Sequence, residues 1–161
     1  IANVDEDSTK NGNNYSKKLC DLGLSKGIST IIMSAKLEAE ISEITDIAER
    51  KEFLNALDLE ESGLEKLTKA GYNLLKLITY FTAGPKEVRA WTIKKGTIAK
   101  AAAGKIHNDF SRGFIAAETI AYNDYILLGG EQKARENGSI RTEGKEYIVI
   151  DGDIIVFRFN V

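Results

Sequence analysis

Thiols, imidazoles and long apolar runs are scarce in this chain of 161 residues, and each scarcity closes off a class of function. A single cysteine, Cys20, excludes an internal disulfide framework and a multi-cysteine zinc site. A single histidine, His107, argues against a histidine-based metal centre or a Ser–His relay, so no metal site is expected. No apolar run approaches the roughly 20 residues that cross a bilayer, and the opening IANVDEDSTK is too polar and acidic for a secretory leader. Neither sign of charge dominates: 22 Lys and Arg face 24 Asp and Glu, a net charge of −2 that argues against a polybasic membrane anchor or a wholly basic nucleic-acid coat. Internal repeats and low-complexity segments are also missing. A cytoplasmic, reducing setting is expected, with no membrane partner and no DNA sequence specificity.

Hydrophobic residues make up 43% and charged residues 29%, enough to bury a real core. The length suits one domain or two small ones. Two are indicated, because the halves differ. Residues 1–77 carry 10 basic and 14 acidic residues, and residues 78–161 carry 12 and 10, so the charge changes from −4 to +2. The first residue is Ile1, which reads as the end of a strand, and the simplest expectation is a piece of a longer protein.

The first half reads as helices around one strand. Asn13 to Leu22 can form a short helix with Tyr15, Leu19 and Leu22 inward. The run Ile28–Met33 (ISTIIM) reads as a strand buried on both faces of a parallel sheet. Leu37, Ile41 and Ile44 share a helical face. Asp46 with Glu49, and Ser62 with Glu65, are capping-box-like starts, the second leading a helix with Leu64, Leu67, Leu74 and Leu75 on one face.

The second half reads as strands around a central helix. Ile78–Thr82 and Glu87–Ile93 form a hairpin about Ala83-Gly84-Pro85-Lys86. Thr97 can cap a helix to His107, with Ile98, Ala102 and Ile106 inward. Phe114–Ala121 is a third strand, a short polar helix lies between Gly129 and Gly138, and Asp151-Gly152 predicts a hairpin between Tyr147–Ile150 and Ile154–Phe159. That order is the ubiquitin-like β-grasp.

Two motifs carry chemistry. Asn3-Val4-Asp5-Glu6 opens the chain, and Ser34-Ala35-Lys36 follows the predicted strand. Carboxyl ends of parallel strands open into ligand crevices. There an Asn amide can donate and accept toward a purine edge, a carboxylate accepts from ring N–H and amine groups, and a backbone N–H after the serine can meet the base. In the second half, Lys86, Arg89, Lys94, Lys95, Lys100, Lys105 and Arg112 fall within 27 positions with only Glu87 and Asp109 as acids. Such a stretch is either a solvated face or a surface for RNA, with Trp91 and Phe110 interleaved. His107 beside Asp109 has no nucleophile at hand and reads as a helix-end anchor. Cys20 reads as a small core residue, and Trp91 as strand packing.

The stretches TYFTAGPKEVRAWTIKKGTIAKAAAGKIHNDFSRGFIAAETIAYNDY, DGDIIVFRFNV and GLEKLTKAGYNLLKL closely resemble the C-terminal part of the YchF/Obg-like ATPase family, including its TGS domain. The resemblance implies an α+β chain: the end of a P-loop α/β G domain over residues 1–77, as one strand plus helices, then a β-grasp TGS domain over 78–161. It implies a parent about twice as long that binds and hydrolyses ATP or GTP with Mg2+ and associates with ribosomes or ribosomal RNA. The family's Asn-x-x-Glu replaces the usual Asn-Lys-x-Asp, and Asn3-Val4-Asp5-Glu6 matches that departure. The resemblance therefore places Asn3, Val4 and Glu6 around the base, with Ser34 and Ala35 at the rim and Lys36 supporting the loop. No Gly-x-x-x-x-Gly-Lys-Ser/Thr occurs in the sequence. The phosphate loop, the magnesium ligand and the catalytic residue are expected upstream, and no catalytic residue or cofactor is expected in this chain alone. Lys94, Lys95, Lys100 and Lys105 are the candidate RNA contacts. The competing reading is a stand-alone TGS adaptor, a binding module without hydrolysis.

Overall fold

A computed structural model describes residues 1–84 and 87–160. The predicted turn at Ala83-Gly84-Pro85-Lys86 lies partly outside the described residues, as does Lys86. Two compact units are present, Ile1–Asn73 and Leu74–Val161.

In the N-terminal unit, β1 (Ala2–Asn3) pairs in parallel with β2 (Ile32–Met33), with Asn3 opposite Met33. Strand pairing is thus confined to two residues of the ISTIIM run. The run is half-buried rather than sealed on both faces, and Ile28 is exposed. α1 (Asn14–Ser25) starts at a reciprocal box in which Asn13 accepts from the Ser16 amide and Ser16 Oγ accepts from the Asn13 amide. Its expected apolar face points the other way: Tyr15, Leu19 and Leu22 are exposed, while Ser16 and Gly23 are buried. The reason is close approach. A Cβ on Gly23 would stand 2.4 Å from Thr30 Oγ1 and 2.8 Å from the Ile28 carbonyl, so only the small-residue face of α1 can press against the incoming strand segment.

α2 (Ala35–Glu43) follows its predicted period at Leu37 and Ile41, whereas Ile44 lies past its end as an extended C-cap, and α3 (Ile47–Ala56) begins where Asp46 and Glu49 indicate. Leu37 and Ile41 join Leu54 and Leu59 in one core, with Phe53 packed on it. Each such burial is worth about 1.5–3 kcal/mol. Asp46 caps α3 by accepting from the Ala48 and Glu49 amides. α4 (Gly63–Leu75) begins at the expected box, Ser62 N–H to Glu65 at 3.0 Å and Glu65 N–H to Ser62 Oγ at 3.1 Å. Leu64, Leu74 and Leu75 of its predicted face are exposed. The helix stops at Lys76, whose φ of +54° is a left-handed terminus without glycine.

The C-terminal unit is a five-stranded mixed sheet. β3 (Leu77–Ala83) and β4 (Val88–Lys94) form the antiparallel hairpin, Leu77 opposite Lys94 and Ala83 opposite Val88. β5 (Phe114–Ile120) pairs with β6 (Arg141–Glu143) and β7 (Ile154–Phe159), both antiparallel, and β7 meets β3 in parallel at Phe81–Ile154. The strand order β4-β3-β7-β5-β6 has the last strand at the centre, which is the β-grasp arrangement. The α+β expectation holds.

α5 (Ala99–Ile106) crosses one face of the sheet, with Ala99, Ala102 and Ala103 fully buried. Alanines let the helix lie close enough for the Tyr80 hydroxyl, itself fully buried, to donate to the Ala102 carbonyl at 2.9 Å. Tyr80 also stacks on Trp91 and meets Phe157 edge-on. Ile98 precedes the helix rather than lining it, and Thr97 does not cap it: its hydroxyl closes the preceding turn by donating to the Lys94 carbonyl at 2.6 Å. Two short helices that the sequence reading did not separate, α6 (Asn108–Arg112) and α7 (Tyr122–Leu128), flank β5. α8 (Glu131–Glu136) is the predicted polar helix.

The predicted Asp151-Gly152 hairpin does not form. Val149 N–H bonds to the Thr97 carbonyl and Ile148 bridges Ile98, so residues 147–150 leave the path of β7. Asp151 Oδ1 instead accepts from the Thr79 amide at 2.7 Å, and Gly152, at φ +84°, donates to the Thr79 carbonyl. The turn docks on β3 and delivers the chain into the centre of the sheet.

Candidate functional site

Asn3 is the last residue of β1, and Ser34 follows the last residue of β2. Parallel pairing puts both carboxyl ends at one edge: Val4 N–H bonds to the Met33 carbonyl at 2.9 Å. The chain then turns away on both sides. Asp5 caps a 3-10 turn, Glu6–Ser8, by accepting from the Ser8 amide at 2.9 Å, and hydrogen bonding from Ser8, chiefly from its side chain, lowers the Asp5 carboxyl pKa. Ser34, almost wholly buried, caps α2 by accepting from the Leu37 amide.

The two predicted motifs meet here through two bonds. Asn3 Oδ1 accepts from the Ala35 amide at 2.9 Å. The Lys36 ammonium stands 2.5 Å from Glu6 Oε1, and that carboxylate raises the lysine pKa, chiefly through the hydrogen bond. Asn3, Glu6, Ser34, Ala35 and Lys36 therefore form one connected edge, with half-buried Val4 between the two bonds. Two details depart from the sequence reading. The Ala35 N–H, expected to meet a base, is engaged by Asn3. The Glu6 carboxylate, expected to read a base, is engaged by Lys36, which does more than support the loop. Among the described residues, Asn3 Nδ2 and Glu6 Oε2 have no partner, so both can serve an outward one.

In the C-terminal unit Lys94, Lys95, Lys100 and Lys105 are all exposed, and none forms an ion pair among the described residues. Lys94 and Lys105 are brought together. They line one groove between β4 and α5, together with Leu77, Ile93 and Ala101. Lys95 lies in the turn beside Gly96, and Lys100 on the outer side of α5, neither lining that groove. Arg112 is spent on Asp109 at 2.7 Å, and Arg89 lies over the Trp91 ring at 4.2 Å. Trp91 packs against the core and donates to Thr82 Oγ1, as strand packing predicts. His107 caps α6 through Nδ1, which accepts from the Asp109 amide.

Sequence reasoning missed two buried charge groups. Glu118, on β5, takes ion pairs from Arg135 and Arg158. Asp153 accepts from the Tyr147 hydroxyl at 2.7 Å and the Ile150 amide at 2.9 Å, with Arg141 alongside. Burial and the Asp153 bond push the Tyr147 phenol up to about 12. A lone acid inside FIAAETIA was the available signal for Glu118, since a carboxylate in a buried strand needs a cation.

The family YchF-GTPase_C, described as a protein of unknown function (DUF933), matches residues 77–160. A protein from Escherichia coli O157:H7 named ribosome-binding ATPase YchF is 52% identical over 161 residues, covering 100% of this chain and 44% of its own length. Its namesake from Bacillus subtilis (strain 168) is 51% identical over 163 residues, with the same coverage. The structure of the Schizosaccharomyces pombe YchF GTPase matches with a TM-score of 0.84 at 37% identity, over 98% of this chain and 42% of that one. A GTP-binding protein from Pyrococcus horikoshii OT3 shares the fold at 19% identity, with a TM-score of 0.64 over 96% of this chain and 44% of that one. The chain thus spans less than half the length of the curated relatives it matches.

Proposed function

The chain belongs to the YchF family, and from that premise we propose that it is the C-terminal part of a cytoplasmic P-loop protein that binds and hydrolyses ATP or GTP. Residues of the N-terminal unit supply the purine-base side of the nucleotide site. Asn3 and Glu6 read the base edge, Val4 packs against the ring, and Ser34, Ala35 and Lys36 form the rim. The observation that carries this reading is the Asn3–Ala35 bond, which fastens the Asn-x-x-Glu loop to the Ser-Ala-Lys loop at the carboxyl ends of two parallel strands. No phosphate-binding loop occurs in these 161 residues, so the triphosphate and its Mg2+ belong to the remainder of the protein.

The C-terminal unit is a TGS-type β-grasp module directed at ribosomal RNA. The four exposed lysines, without ion pairs among the described residues, support that role, as do relatives named ribosome-binding ATPases. Titration of ATP and GTP against the full-length protein and its Asn3→Ala variant tests the nucleotide half. Loss of binding in the variant is expected, and undiminished affinity for both nucleotides would overturn the base-site assignment.

A further inference from the structure

The Lys36–Glu6 pair is exposed, the lysine side chain at 74% and the glutamate at 41%, so it contributes little to stability. Its consequence is for recognition. Guanine presents two adjacent donors, N1–H and the N2 amine, and a carboxylate selects it by offering both oxygens. Adenine presents one donor, the N6 amine, beside one acceptor, N1. Among the described residues Glu6 has Oε2 without a partner, while Oε1 already accepts the Lys36 ammonium, so a guanine N–H at Oε1 would have to share that oxygen with a cation. The edge thus displays an acceptor beside a cationic donor.

We infer that Lys36 is a specificity-determining residue for the base: by occupying Oε1 of Glu6 it weakens the two-oxygen acceptor that guanine needs and presents an acceptor–donor pair matched to adenine. Lys36 acts in two ways, by occupying Oε1 of Glu6 and by presenting its own ammonium as the donor beside Oε2. The inference rests on the base-site reading above and goes beyond it, since an Asn-x-x-Glu motif alone does not specify how many carboxylate oxygens remain for the ligand.

The test is titration of ATP and GTP against the full-length protein carrying Lys36→Met or Lys36→Arg. Removing the ammonium frees Oε1, and the ratio of GTP to ATP affinity should rise about tenfold, the worth of one charge-assisted hydrogen bond. Lys36→Arg keeps the pair and should leave the ratio within about twofold. A merely structural lysine would lower both affinities together and leave the ratio alone. Lys36→Gln, which also lacks the charge, serves as a second variant should the methionine form fold poorly. An unchanged ratio in the uncharged variants, while Asn3→Ala still abolishes binding, overturns the role of Lys36 and leaves the base site standing. A wild-type protein that binds neither nucleotide overturns both.

Discussion

The Glu38 carboxylate, on α2, closes the first turn of a helix that begins 25 residues later: its Oε1 accepts from the Gly63 amide at 2.6 Å, and Oε2 from Leu64 at 3.0 Å. Unpaired amides at a helix start carry partial positive charge, so a carboxylate there acts as both cap and counter-charge. Gly63 is required for the approach, because a Cβ would stand 2.6 Å from Met33 Cβ and 2.9 Å from Glu38 Oε1. Glu38→Ala should destabilise the N-terminal unit by about 1–2 kcal/mol. Glu38→Gln, which still accepts but lacks the charge, should cost less. Urea unfolding of the three forms decides it, and equal midpoints would show the cap to be idle.

Stability of the C-terminal unit should fall in strong alkali. Burial raises the Tyr80 phenol far above its ordinary value of 10.0, and burial with the Asp153 bond takes Tyr147 to about 12. A group whose folded pKa lies above its unfolded one stabilises fully below the unfolded value and loses that contribution as pH rises toward the folded one. The loss should therefore begin near pH 10 and continue through about pH 12, and leave neutral pH untouched. Melting curves of wild type and Tyr147→Phe across that range provide the check. The variant should be less steep, and parallel curves would remove Tyr147 from the alkaline transition.

Local signals were legible where the local solution is also the global one. Leu37 and Ile41 lie on the predicted face because their core is built from neighbouring helices. The same reasoning misplaced Tyr15, Leu19 and Leu22, because α1 is oriented by how closely Gly23 lets it approach Thr30, a contact that hydrophobic spacing does not encode. Asp151-Gly152 is a correctly read turn with a misread partner: Thr79, 72 residues away in the case of its amide bond, captures what a local hairpin would have used. The site divides similarly. Its residues were readable as motifs, whereas the bonds Asn3–Ala35 and Glu6–Lys36 exist only once β1 and β2 lie side by side.

The 161-residue chain alone should not hydrolyse ATP or GTP. Phosphoryl transfer needs oriented phosphates and a metal ion, and no phosphate-binding Gly-x-x-x-x-Gly-Lys-Ser/Thr loop occurs in these 161 residues. Phosphate release by the purified chain should match buffer. Turnover that follows the protein through successive purification steps would place a catalytic centre within it.

Restoring the common guanine motif should shift base choice in the full-length protein. Glu6→Asp with Val4→Lys shortens the acceptor and recreates Asn-Lys-x-Asp. Each recovered charge-assisted bond to guanine should favour GTP over ATP by about 1–2 kcal/mol. Paired titrations measure the ratio directly, and no change would mean that the base is read elsewhere.

The basic surface of the C-terminal unit gives the last prediction. Binding of RNA by Lys94, Lys95, Lys100 and Lys105 would release counterions, so affinity should weaken with salt and do so less steeply once the lysines are gone. All four are exposed without acidic partners among the described residues, so replacing them with Glu should leave the fold intact. Lys94 and Lys105 line the same groove between β4 and α5, whereas Lys95 and Lys100 lie outside it. A phosphate backbone seated in that groove would be felt by the first pair most. The double variant Lys94→Glu with Lys105→Glu should therefore lose more ribosome association than Lys95→Glu with Lys100→Glu, and the quadruple variant should lose the most and show the flattest salt dependence. A merely solvated face predicts no change in any of them. Co-sedimentation with ribosomes at two salt concentrations separates these outcomes, and equal pelleting of all forms at low salt would remove this surface from the binding account.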